Sequence, residues 1–149
     1  ATGGNCGINL ILLRNAEVLL TYAEAKIELN QIDATVYDAI NQIRQRADVK
    51  LPVLEAGLTQ SQLRDAVRKE RTLELAFEGL RLYDIRRWKI AEKVMTGDVY
   101  GITYVDGSQL KTIQIASFTR VFDPAKHYLW PIPQKERELN PELTQNAGW

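Results

Sequence analysis

The chain has 149 residues, enough for one ordinary domain with a buried core, and its 45% hydrophobic and 26% charged composition is that of a globular protein. Nineteen basic and nineteen acidic side chains cancel, which excludes a global field pulling the chain toward nucleic acid or anionic lipid. No apolar run approaches the length of a membrane span, and no N-terminal signal peptide is legible.

The opening ATGGNCG reads as a Gly-rich loop or a cut end. Cys6, the single cysteine, cannot form an internal disulfide. A lipobox needs a small residue and an apolar run before the cysteine. Asn5 precedes Cys6 and the run is absent, so Cys6 reads as an ordinary cysteine. INLILL, Ile8 to Leu13, is either a strand or a lead-in to the next helix.

From Arg14 to Leu29 the pattern is helical. Ala16, Leu19, Leu20, Ala23 and Ile27 form one stripe; Val18, Tyr22, Ala25 and Leu29 form a second. The strip left over is polar: Glu17, Thr21, Glu24, Glu28. Such a helix is expected to pack on more than one side. NQID is a turn with Asp33 as N-cap, and a second helix follows to about Ala47 with the stripe Val36, Ala39, Ile40, Ile43, Ala47. The short link predicts an antiparallel helical hairpin over 15–47, of the size of one TPR-like unit. No 34-residue period repeats, so the chain is not a solenoid by itself.

TQSQ, Thr59 to Gln62, matches a capping box and starts a long helix over 59–95 that Gly79 interrupts. At 100° per residue, Leu63, Ala66, Val67 and Phe77 share an arc, and Glu70 and Glu74 lie about 20° either side of its centre. Two carboxylates on an apolar face admit three readings: a catalytic pair, a ligand site, or a structural ion network. Paired carboxylates can run glycoside hydrolysis, but such pairs usually come from different elements facing a cleft. Here Arg68, Arg71, Arg81, Arg86 and Arg87 are interleaved with Glu70, Glu74, Glu78 and Asp84, and Arg is the natural fork for a desolvated carboxylate. The favoured reading is an inter-helix ion network of Glu17, Glu24, Glu70, Arg71, Glu74, Glu78, Arg81, Asp84 and Arg86.

Between Ser61 and Lys93, nine Lys/Arg face six Asp/Glu, too mixed for a phosphate-tracking stripe, so no nucleic-acid partner is expected. His127 is the only histidine, and neither HExxH nor CxxC occurs, so no metal site is expected and His127 reads as a structural hydrogen-bonder. GxGxxG and P-loop motifs are absent, so no cofactor is expected. Phe77, Tyr83 and Trp88 are assigned to the core.

From Gly97 the character changes. Two β-rich runs flank Asp106-Gly107, a β-hairpin over 98–117. Tyr100 and Tyr104, two pleats apart, are expected on one face, where aromatics can stack on the apolar faces of sugars or pack across strands. They are the candidate ligand-binding residues. Residues 118–149, with Pro124, Pro131, Pro133 and Pro141, read as an irregular tail with at most short helical turns, pinned by Trp130 and Trp149. The fold class is therefore mainly α: a TPR-like hairpin, a long interrupted helix, a small β-hairpin and a Pro-rich tail.

Three blocks together carry a resemblance: RNAEVLLTYAEAKIEL, LRDAVRKERTLELAFEGLRLYDIRRWK and HYLWPIPQKERELNPELTQNAGW. In order and spacing, from about Leu10 to Trp149, they resemble the C-terminal part of the SusD/RagB family of Bacteroidetes. Leu80 stands where a polar residue is common, and Ala147 replaces the usual Pro of the ending. The resemblance implies a surface lipoprotein that captures glycans, or sometimes peptides, without chemistry and caps a TonB-dependent SusC-like outer-membrane transporter. It implies outer-membrane, surface-exposed localisation, with the lipid anchor in an N-terminal region absent from this chain. Two other readings stay open: a helical-repeat scaffold for a protein partner, and a glycoside hydrolase using Glu70 and Glu74.

Overall fold

The computed structural model describes residues 12–149, apart from the side chains of Ala116 and Ser117. Cys6 and the start of the apolar run at Ile8 lie outside the described residues. Two compact units follow one another, Ala1–Arg81 and Leu82–Trp149.

The first unit holds α1 (Asn15–Glu28), α2 (Ala34–Arg44) and α3 (Gln60–Glu74). α1 ends in a Schellman motif: Gln31 N–H reaches Lys26 O at 2.9 Å and Asn30 N–H reaches Ile27 O at 3.0 Å. Asn30 sits at φ 54°, the left-handed position that Asn tolerates better than most residues. The chain thus turns back within five residues, and Asp33 starts α2 by accepting from Thr35 N–H at 3.0 Å. α3 opens on a complete capping box. Thr59 Oγ1 accepts from Gln62 N–H at 3.3 Å, and Thr59 N–H donates to Gln62 Oε1 at 2.9 Å.

α1 packs on both α2 and α3. The core they share is built from Leu20, Ala23 and Ile27 of α1, Val36, Ala39, Ile40 and Ile43 of α2, and Leu63 and Val67 of α3. The small Ala23 and Ala39 leave room for bulkier neighbours to interdigitate. The second stripe of α1 behaves differently: Val18, Tyr22 and Leu29 are exposed among the described residues.

Three sequence expectations need correction here. α2 stops at Arg44 rather than near Ala47. The helix expected over 59–95 is three helices: α3, α4 (Arg81–Arg87) and α5 (Ala91–Val94). The first break precedes Gly79, with Leu75 as C-cap. Phe77 then adopts φ 65° and swings off the core stripe into solvent. Leu75 is buried in the shared core instead. Tyr83 is likewise exposed, whereas Trp88 is buried.

In the second unit, Asp84, Ile85, Trp88 and Ala91 are buried. A two-stranded antiparallel ribbon follows, β1 (Gly97–Asp106) and β2 (Gln109–Arg120), longer than the predicted hairpin. Gly107, at φ 65°, supplies the left-handed residue of its tight turn. The tail carries one short helix, α6 (Gln134–Leu139). His127 Nδ1 accepts from Asp123 N–H at 2.8 Å, and Trp149 Nε1 donates to Lys126 O and Leu129 O at 3.2 Å each.

The Asp33 cap carries a pH signature. Lys26 Nζ at 2.5 Å, then the Thr35 hydroxyl, hold its carboxyl down from 3.8 to about 2. A depressed folded pKa gives stability that is present above the unfolded value and lost as pH falls through the folded one. The stability difference between the protein and its Asp33→Ala variant is therefore expected to hold at pH 5. It narrows steadily from about pH 4 to about pH 2, as read by urea unfolding at stepped pH.

Candidate functional site

α3 carries the two carboxylates on its apolar face, Glu70 and Glu74. Glu70, buried, accepts from Arg44 Nη1 at 2.6 Å, while Arg44 Nε donates to Pro52 O at 2.9 Å. Glu74 receives two guanidiniums, Arg14 Nη1 and Arg46 Nη1, both at 2.5 Å on Oε1. Arg14 also donates to the backbone carbonyl of Glu74, which satisfies an end group of α3. The same guanidinium grips Glu78 through Nε at 2.9 Å to both carboxylate oxygens. Glu78 in turn raises the Arg14 pKa above its ordinary value, and Arg14 holds the Glu78 carboxyl below the usual range.

Further along the same face, Arg71 is buried, with Glu17 at 3.9 Å and the Thr21 hydroxyl at 3.1 Å. Glu24 is buried on the α1 strip. Glu28 takes a two-pronged bond from Arg64, 2.7 Å on each oxygen, with Arg68 at 3.7 Å. Arg81 Nη1 donates to Thr72 Oγ1 at 2.8 Å. In the second unit, Asp84 is buried and accepts from Arg87 Nε at 2.8 Å. Arg86 corrects the expectation. Among the described residues it meets no carboxylate; it donates from Nη1 to Tyr128 O at 3.0 Å and lies 4.1 Å over the Trp130 ring.

The arginines that reading the sequence missed are Arg14, Arg44 and Arg46. The interleaved arginines of α3 drew attention, yet the groups that grip Glu70 and Glu74 come from the start of α1 and the end of α2. The signal lay in topology: an antiparallel hairpin puts the residue before its first helix beside the last turn of its second. A glycosidase pair needs an open acid and an open base or nucleophile. Glu70 and Glu74 are both held by guanidinium groups, and the cavity of about 370 Å³ nearby is lined by Arg14, Asn15, Ala16, Leu19, Gln42, Ile43 and Arg46, not by either carboxylate. Among the described residues no group of three or more His, Cys, Asp or Glu is placed to hold a metal ion.

The ribbon holds the two candidate tyrosines, both exposed. The register places them differently from the sequence expectation. Tyr100 pairs with Gln114 and Tyr104 with Lys111, with a bulge in β1 between Tyr100 and Thr103. Cross-strand partners share a face, and Gln114 and Lys111 are three residues apart, an odd spacing. The extra residue of the bulge thus turns Tyr100 and Tyr104 to opposite faces. Two contacts agree: Thr103 and Thr112 hydroxyls meet at 2.7 Å on one face, while Asp106 and Lys111 pair on the other.

The fold and these sites define a helix-dominated scaffold with an exposed aromatic ribbon. The SusD family model matches residues 1–149, and the chain belongs to the SusD family. SusD-like protein P2 of Formosa agariphila is 33% identical over 97% of this chain, which spans 26% of that protein. A SusD-like protein of Bacteroides fragilis superposes with a TM-score of 0.78 at 37% identity, covering 93% of this chain and 26% of its own. A SusD-like carbohydrate binding protein of the same species gives 0.76 at 38% identity, covering 87% and 27%. The chain thus spans about a quarter of the length of these relatives. Among the described residues no helix is long and apolar enough to cross a membrane.

Proposed function

We propose that this chain forms part of a cell-surface protein that captures a glycan, or another oligomeric nutrient, without chemistry. The reading extends to delivery into a TonB-dependent SusC-like transporter and to a lipid anchor on the outer membrane. Its main support is the family match along the whole chain together with the likeness to a carbohydrate binding protein. Guanidinium pairing of Glu70 and Glu74 supports the absence of catalysis. Tyr100 and Tyr104 are the proposed contacts on the ribbon, one ring on each face, so each stacks on its own sugar unit.

Tyr100→Ala and Tyr104→Ala are each expected to weaken glycan binding by roughly three- to tenfold, the value of one stacked ring, with an unchanged melting temperature. Calorimetric titration with soluble oligosaccharides reads this. Unchanged affinity in both variants would remove the ribbon from the site. A scaffold for a protein partner is the second reading, favoured by one observation: Leu13, Val18 and Tyr22 expose apolar surface around an open cavity of about 390 Å³.

A further inference from the structure

Trp130, in the stretch LWPIP, differs from the other tryptophans. Trp88 is buried, and Trp149 gives its indole N–H to two carbonyls under Lys126. Trp130 is 63% exposed, and no hydrogen bond occupies its indole N–H among the described residues. It is nevertheless held. Asn146 Nδ2 donates to its carbonyl at 2.7 Å. Two residues on, the Gln145 amide closes a pair of bonds with Ile132, 2.8 Å from N–H and 3.0 Å to the carbonyl. Pro131 and Pro133 remove backbone freedom on either side of Ile132. The Arg86 guanidinium covers one face of the ring, and Tyr128 O fixes that guanidinium in turn. With one face covered and the residue still mostly exposed, the open surface lies on the other face.

A rigid indole with one open face and an unused donor has a chemical preference. It loses little conformational entropy on binding, it presents flat apolar area, and its N–H can meet an oxygen at the rim. Arg86 holds the ring from behind. A pyranose offers the complement: a flat C–H face bordered by hydroxyl oxygens. We propose that Trp130 is a stacking platform for one sugar ring, acting in addition to the ribbon tyrosines. The proposal deepens the glycan-capture reading and rests on it.

The test is calorimetric titration of the protein with maltoheptaose, xylohexaose and laminarihexaose. Trp130→Leu keeps apolar bulk but removes the flat ring. Trp130→Phe restores a ring. Whichever oligosaccharide binds, Trp130→Leu is expected to weaken it about tenfold and Trp130→Phe to recover affinity to within about threefold, at melting temperatures close to that of the parent. Indole emission should also shift on titration of the parent and lose that shift in Trp130→Phe. If Trp130→Leu binds as the parent does while Tyr100→Ala or Tyr104→Ala binds more weakly, the platform is overturned and glycan capture stands. If Trp130→Leu weakens binding and Trp130→Phe does not recover it, the stacking role is overturned. Absence of any heat with all three oligosaccharides overturns both.

Discussion

Replacing Glu74 by Gln is expected to lower the unfolding free energy of the helical unit by about 2–3 kcal/mol, read by urea unfolding of the far-UV helix signal. The carboxylate receives Arg14 and Arg46 at 2.5 Å each, and its side chain is 10% exposed. The amide keeps the shape but not the charge, leaving two guanidiniums facing a neutral group. Truncating one partner of a fully buried pair costs about 3–5 kcal/mol; water reaches both arginines here and the amide keeps the shape, so the expected cost falls at or just below the lower end. Glu78→Gln is the internal comparison. Its side chain is 38% exposed, and a loss of about 0.5 kcal/mol is expected, the value of a surface pair. A catalytic Glu74 gives the opposite pattern: unchanged stability and lost hydrolysis.

Leu20→Ala is expected to cost about 3 kcal/mol in the same measurement, within the range for a truncated core leucine. Leu20 is 0% exposed on the face of α1 that meets the shared core. Its loss opens a void where three helices converge, and close packing limits relaxation around it. Val18→Ala, two residues away on the exposed stripe, is expected to change stability by less than about 0.5 kcal/mol. A similar cost at both positions would mean that the exposed stripe is covered.

Local chemistry made much of this fold legible. The Thr59–Gln62 box, the Asp33 cap and the first stripe of α1 each depend on residues within one or two turns, and each stands where the sequence put it. Long-range events were not legible. α3 ends at Glu74, where Arg14, sixty positions earlier, caps its carbonyl. Phe77 leaves the core stripe just past that end. The tyrosine faces followed a strict period of two until one bulge reversed it, and a bulge leaves no clear mark in YGITY. For the site, the sequence identified the carboxylates but not their arginines. It placed Trp130 in the tail without showing that Arg86 would stack on it rather than pair with a carboxylate.

Capture without chemistry, the proposed function, has a simple signature in one isothermal titration. The protein is titrated with soluble oligosaccharides, and each mixture is assayed afterwards for newly released reducing ends. Capture is expected to give heat that saturates at a defined stoichiometry and an oligosaccharide recovered intact. Heat that continues after each injection, with shortened product in the cell, would contradict it.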